Sequence, residues 1–242
     1  MKRSEINRVI RDMEQLIRQQ GGALPVWGAW EPEKWKNLGP EGEEIIENQL
    51  GWDITDFGLG DFFHHGLSLF TLRNGNRKLP DKYPKPYAEK YLMLYPGQEM
   101  CEHYHWYKME DIINRGGNDL YIRLWNGKPT VSPLSRDKRN SAEGERQQKL
   151  DTPVTVSVDG LKITVNPGEE ICLHPGQSAT MLPCLYHNFR APAEGGCVLI
   201  GEVSMCNDDA NDNCFFEPVG RFPAIEEDEP PYRLLCNEYR KF

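Results

Sequence analysis

Residues 97–117 read GQEMCEHYHWYKMEDIINRGG and decide the fold. The stretch puts His103 and His105 two residues apart, Glu110 five further on, and Gly97 and Gly117 at its ends. A β-strand repeats its side-chain direction every second residue. His103 and His105 therefore point to the same side of a strand and can reach one ion. Glu110, beyond a short bend, can return a carboxylate to the same point. Two imidazoles and a carboxylate form an N/O donor set that suits Mn, Fe, Co or Zn better than a thiolate-seeking ion. The competing reading is a pair of ordinary polar strand histidines. The glycines and the glutamate at fixed distances tell against it.

Outward from this stretch, short apolar segments alternate with turn residues, as in an all-β sandwich or barrel. Strands are predicted at Leu67–Leu72, Lys90–Tyr95, Met100–His105, Leu120–Trp125, Val154–Val158, Leu161–Val165, Glu170–Leu173, Ala179–Leu182, His187–Ala191 and Val198–Val203. Asp159-Gly160 is a hairpin signal between two alternating runs. The charged segment Ser135–Lys149 reads as an exposed loop or insertion. Before the strands, Ser4 is expected to cap a helix running to about Gln20, with Ile6, Val9, Ile10, Met13, Leu16 and Ile17 forming one apolar stripe. Trp27, Trp30 and Trp35 follow among prolines and glycines, an arm expected to pack on the barrel or a second subunit. The stripe and the tryptophans exceed what one barrel needs to cover, which points to a homodimer. The chain divides into a helix and Trp-rich arm (1–50), a barrel (51–225) and a C-terminal tail (226–242). The acidic run EEDE at 226–229 reads as a solvated turn.

A net charge of −9 argues against nucleic acid, whose phosphates need a basic face, and against anionic membrane surfaces. A small neutral substrate is compatible with it. No stretch approaches the ~20 apolar residues of a membrane span. The opening MKRSEINRVIRDMEQLI mixes in acids too early for a secretory signal. Seven cysteines at irregular spacing suggest free thiols in a reducing cytoplasm.

The spacing of 97–117 resembles the first motif of the cupins, G-x5-H-x-H-x4-E-x6-G, at every specified position. The resemblance implies a double-sheet jelly-roll barrel, here with an N-terminal helical extension. It also implies a further histidine ligand on a later strand after a proline, and Pro183-CLY-His187 is the counterpart. The usual glycine is missing there, with Cys184-Leu185 in its place. His174, in Leu173-His174-Pro175-Gly176, competes for the role but sits in a turn. His64 and His65 are adjacent, so a strand would turn them to opposite faces; they read as structural or surface residues.

Six segments narrow the resemblance: NQLGWDITDFG (48–58), YPKPYAEKYL (83–92), KMEDIINRGG (108–117), PGQSATMLP (175–183), GEVSMCNDDANDN (201–213) and GRFPAIEEDEPPYRLL (220–235). Together with the opening MKRSEINRVI they are similar to the D-lyxose isomerase family of sugar ketol-isomerases, over nearly the whole chain. Membership implies a divalent metal, Mn(II) before Co(II) or Zn(II), held by His103, His105, Glu110 and His187. It implies a small neutral monosaccharide as substrate: D-lyxose and D-xylulose, with D-mannose and D-fructose in related members.

The residues can be asked independently for the required chemistry. An aldose–ketose isomerase moves one proton between C1 and C2 and another between O1 and O2. Lys90 lies in an apolar strand just before the metal motif. It reads either as a strand-end residue reaching solvent or as an inward charge, and the family segment around it favours the second. Beside a cation it would serve as an acid or base. Glu202 shares a strand face with Val198 and Ile200 and is expected to point inward, where a carboxylate must be paired or functional. Glu217 is the alternative, and sequence does not choose between them. Lys90, Asp209 and Arg221 are candidates for substrate contact, Arg221 equally for pairing an acid. Proton transfer through a metal-bound cis-enediol is expected in preference to a hydride shift. The competing classes are another Mn or Fe cupin enzyme, an oxygenase or decarboxylase, and a non-catalytic sugar-binding cupin.

Overall fold

The computed structural model describes residues 1–127 and 148–239. The greater part of the segment expected as an exposed insertion, 135–147, lies outside the described residues. Two antiparallel sheets face each other and enclose the main core. Strands are labelled in chain order: β1 (Gly51–Thr55), β2 (Leu67–Asn74), β3 (Tyr87–Leu94), β4 (His103–His105), β5 (Glu110–Gly116), β6 (Leu120–Asn126), β7 (Val154–Val158), β8 (Leu161–Val165), β9 (Glu170–Leu173), β10 (Ser178–Met181), β11 (Leu185–Arg190), β12 (Val198–Met205) and β13 (Asn213–Phe215). The larger sheet has eight strands in the order β1-β2-β3-β12-β5-β10-β7-β8, and the smaller has five in the order β13-β4-β11-β6-β9. This is the cupin double-sheet barrel that the motif implies. Every predicted strand is present, three with the predicted ends and the others with ends shifted by up to three residues. β1, β5 and β13 were not foreseen.

Period-two alternation assigns each strand its faces. Leu67 and Leu69 of β2, Leu92 and Leu94 of β3, and Val198 and Ile200 of β12 enter the core between the sheets. Phe70, Leu72, Met93 and Leu199 face outward from the large sheet, beneath helix α1 (Arg3–Gln19). The α1 stripe from Ile6 to Ile17 is buried on this outer face. The stripe is thus covered within the chain. The tryptophan arm is also accommodated within the chain. Trp27 stacks on Phe70 at 5.1 Å, and Trp35 stacks on Tyr239 of the tail at 4.0 Å.

Two expectations about the ends are corrected. Ser4 lies inside α1, and the residue preceding the helix is Lys2. The acceptor for the first-turn N–H of Ser4 comes from the tail, Asp228 Oδ1 at 2.9 Å, and the Ser4 hydroxyl donates to Asp228 Oδ2 at 2.7 Å. The EEDE run is therefore more than a solvated turn. A helix N-terminus has unpaired N–H groups and a positive dipole end, and acids complement both. Glu227 and the buried Glu238 both pair with Arg3, at 2.7 and 2.6 Å, and Glu229 accepts from Asn7.

Candidate metal centre and active site

β4 brings His103 and His105 inward together, as their spacing requires. β11 lies antiparallel beside β4, with His187 opposite His103 in register. Glu110 opens β5 in the facing sheet. The donor atoms of these four buried residues all lie within 4.8 Å of one another. His105 Nε2 and His187 Nε2 each lie 3.2 Å from Glu110 Oε1. The Nδ1 atoms of His103 and His187 are fixed on the carbonyls of Cys101 and Leu185, at 3.1 and 2.9 Å. A ring whose Nδ1–H donates to a carbonyl presents its Nε2 lone pair elsewhere. His187 Nε2 is buried without a hydrogen-bond partner, although a carboxylate is close, so the four residues fit a divalent cation. His174 is exposed on the far side of the small sheet and takes no part. His64 and His65 are exposed as well. Cys184, where the cupin motif leads one to expect glycine, carries the left-handed backbone itself, with φ 63°.

On the large sheet the inward positions change character along the strands. Leu69, Leu92 and Ile200 give way to Thr71, Lys90 and Glu202, one step along each strand. Glu202 and Lys90 are direct partners in the β12–β3 register. Lys90 Nζ lies 3.2 Å from Glu202 Oε1 and 3.8 Å from Asp209 Oδ1. Lys108 Nζ lies 2.7 Å from Glu202 Oε1 and 2.5 Å from Glu110 Oε2. Arg221 Nη2 closes the far end, 2.9 Å from Asp209 and 2.7 Å from Asp53. Glu110, Lys108, Glu202, Lys90, Asp209, Arg221 and Asp53 thus alternate in sign along one line from the histidines. Four carboxylates face three cations in that line, an excess of negative charge that a divalent ion beside Glu110 would offset.

Burial acts against every charge here, and the neighbours decide the outcome. Burial pushes the Glu110 carboxyl up, but the charge of Lys108 and the His105 contact outweigh it and hold the group well below the usual range. Asp209 is held low against burial by Lys90 and Arg221. Asp53 is raised, because burial exceeds the pull of Arg221 and Asp209 adds repulsion. Burial holds His103 and His105 below the ordinary imidazole value, helped by the neighbouring imidazoles for His103 and by Lys108 for His105. Both therefore stay neutral and metal-competent near pH 7.

Of the residues singled out from sequence, Lys90, Glu202, Asp209 and Arg221 join His103, His105 and Glu110 in lining one cavity, with Phe57 and Phe215 among its apolar walls; His187 is not a lining residue but lies 3.2 Å from Glu110. Glu217 is exposed and is not among the lining residues. Arg221 pairs two acids, one of its two readings, and it also lines the cavity. Lys108 and Asp53 are the members of the charged line that sequence reasoning missed. Lys108 had a readable signal, since it stands two residues before Glu110.

The chain matches the D-lyxose isomerase family profile over residues 1–239. It is 42% identical over 244 residues to a D-lyxose/D-mannose isomerase of Escherichia coli O157:H7, covering 100% of both chains. It is 40% identical over 243 residues to a D-lyxose/D-mannose isomerase of Serratia proteamaculans, covering 100% of this chain and 99% of the relative. In fold it is similar to the L-ribose isomerase of Acinetobacter sp. DL28 solved with L-ribose, with TM-score 0.58 and 14% identity over 93% of this chain and 98% of that one.

Proposed function

The chain belongs to the D-lyxose isomerase family, and from that membership we propose that it is a divalent-metal-dependent aldose–ketose isomerase interconverting D-lyxose with D-xylulose, and D-mannose with D-fructose. That it is a sugar isomerase follows from the family. The metal, the substrates and the residue roles are the proposal. One observation carries it: Glu202, gripped by Lys90 and Lys108, lines the same cavity as His103, His105 and Glu110, three of the four metal-competent donors.

His103, His105, Glu110 and His187 would hold the ion, Mn(II) before Co(II) or Zn(II). When bound, such an ion supplies Lewis acidity for the charge that develops on the sugar oxygens. The remaining work belongs to side chains. Glu202 takes the proton from C2 of the aldose and returns it to C1 of the ketose. A carboxylate suits this role because it accepts the proton on one face of a planar cis-enediol and can return it on the same face. Lys90 and Lys108 place ammonium groups on either side of Glu202, where one gives a proton to O1 as it becomes a hydroxyl and takes back the proton that O2 loses as it becomes the carbonyl. Asp209 and Arg221 receive hydroxyls further along the chain. The phenyl walls at Phe57 and Phe215 exclude water from the reacting carbons.

The test is an assay of chelator-stripped and Mn(II)-reloaded protein, without oxygen, against a panel of aldoses and ketoses. Xylulose from lyxose and fructose from mannose, lost on stripping and regained on reloading, is the expected outcome. Activity that survives stripping, or turnover that requires oxygen, contradicts the reading.

A further inference from the structure

We propose that Asp119, Cys172 and His174 form a second metal site on the outer face of the small sheet, selective for a thiolate-accepting divalent ion such as Zn(II). Cys172 and His174 stand two residues apart at the end of β9, so their side chains share a face. The β6–β9 register pairs Tyr121 with Cys172 and Leu120 with Leu173, which brings Asp119 beside His174. The same device builds the inner centre, where His103 and His105 share a face and His187 lies across from them.

The contacts point to a metal rather than to a nucleophile. A Cys–His–Asp relay needs the thiol and the carboxylate on opposite nitrogens of the imidazole. Here both face the same atom. His174 Nδ1 lies 2.8 Å from Asp119 Oδ1 and 3.9 Å from Cys172 Sγ. The three donor atoms lie within 4.8 Å of one another. A tetrahedral zinc with Zn–S and Zn–N bonds of ~2.3 and ~2.0 Å holds S and N about 3.5 Å apart. The sulfur and the imidazole nitrogen reach that spacing by a shift of a few tenths of an ångström. Side-chain exposure of 67% at His174 and 35% at Asp119 lets an ion enter from solvent. Three protein donors leave a fourth position to water.

The two centres differ in softness. The inner set is all nitrogen and oxygen, and the outer set includes a thiol. A hard ion such as Mn(II) suits the first alone, whereas Zn(II) and Co(II) suit both. An ion at the outer site would also tie β9, the last strand of the small sheet, to the turn before β6.

Equilibrium metal titration of the whole chain tests this. One Mn(II) but two Zn(II) per chain are expected, with Cys172→Ser and His174→Ala each returning the zinc count to one. Co(II)-loaded protein should show thiolate-to-cobalt charge-transfer absorption that Cys172→Ser removes. His103→Ala, which damages only the inner centre, should keep that absorption, so failure of the inner assignment is distinguishable. A zinc count that Cys172→Ser and His174→Ala leave unchanged overturns the proposal. So does a second zinc and a charge-transfer band that persist in Cys172→Ser.

Discussion

Glu202 is the residue on which the proposed chemistry turns. Two ammonium groups and the Ser204 hydroxyl, which donates at 3.1 Å, fix its carboxylate beside the candidate metal ligands. Glu202→Gln keeps the shape and removes the base. It should lose about 10²–10⁴-fold in turnover, the scale for a positioned acid or base, while metal content stays unchanged. Glu217→Gln, at an exposed position outside the cavity, should remain close to the parent enzyme. A large loss in the second variant with little in the first would reverse the assignment. At this scale the sequence was most legible where side-chain spacing alone sets geometry. His103 and His105 are an example, because period two needs no knowledge of the partner strand. The choice between Glu202 and Glu217 was not legible. It depends on which residue the β12 register delivers opposite Lys90, and that is a long-range fact. Lys108 was missed because it precedes β5, in a stretch that reads as a connector.

Among the elements, α1 shows how a helix outside the barrel supports it. Its stripe covers the outer face of β2, β3 and β12, and the inner faces of β3 and β12 carry part of the line of alternating charges. Ile10 is fully buried there. Ile10→Ala should cost about 2–5 kcal/mol of unfolding free energy, the range for truncating a buried aliphatic side chain. Urea denaturation monitored by tryptophan fluorescence measures it. A loss under about 1 kcal/mol would mean that the stripe is not part of the cooperative core. The helix was legible from its periodicity, but its N-terminus was not, because the capping acid lies 224 residues away in the chain. β1 escaped detection because it is buried on both faces. Trp52 and Ile54 turn toward α1, while Asp53 and Thr55 turn the other way, Thr55 onto the cavity wall and Asp53 onto Arg221. The usual rule of apolar inside is inverted at this end of the barrel. β5 failed for a related reason: Glu110 and Asn114 take inward positions on either side of Ile112.

The whole molecule separates two jobs along one set of strands. One end of the space between the sheets is packed with leucine, isoleucine and valine and holds the sheets together. The other end collects the histidines and the alternating charges. Such a line is costly to bury unless each charge is paired, and each member here has an opposite neighbour. The chain's two ends meet on the outside, where Arg3 is clasped by Glu227 and Glu238. This clasp fits a family match that spans residues 1–239 and not the barrel alone. The central claim is that acid/base side chains, and not a hydride passed between carbons, carry the isomerisation. The most direct measurement is the reaction of D-lyxose in deuterium oxide, followed by NMR at partial conversion. A proton lodged on Glu202 can exchange before it is returned, so deuterium is predicted at C1 of the ketose and C2 of the recovered aldose. Product without carbon-bound label, formed at a full rate, would contradict the account.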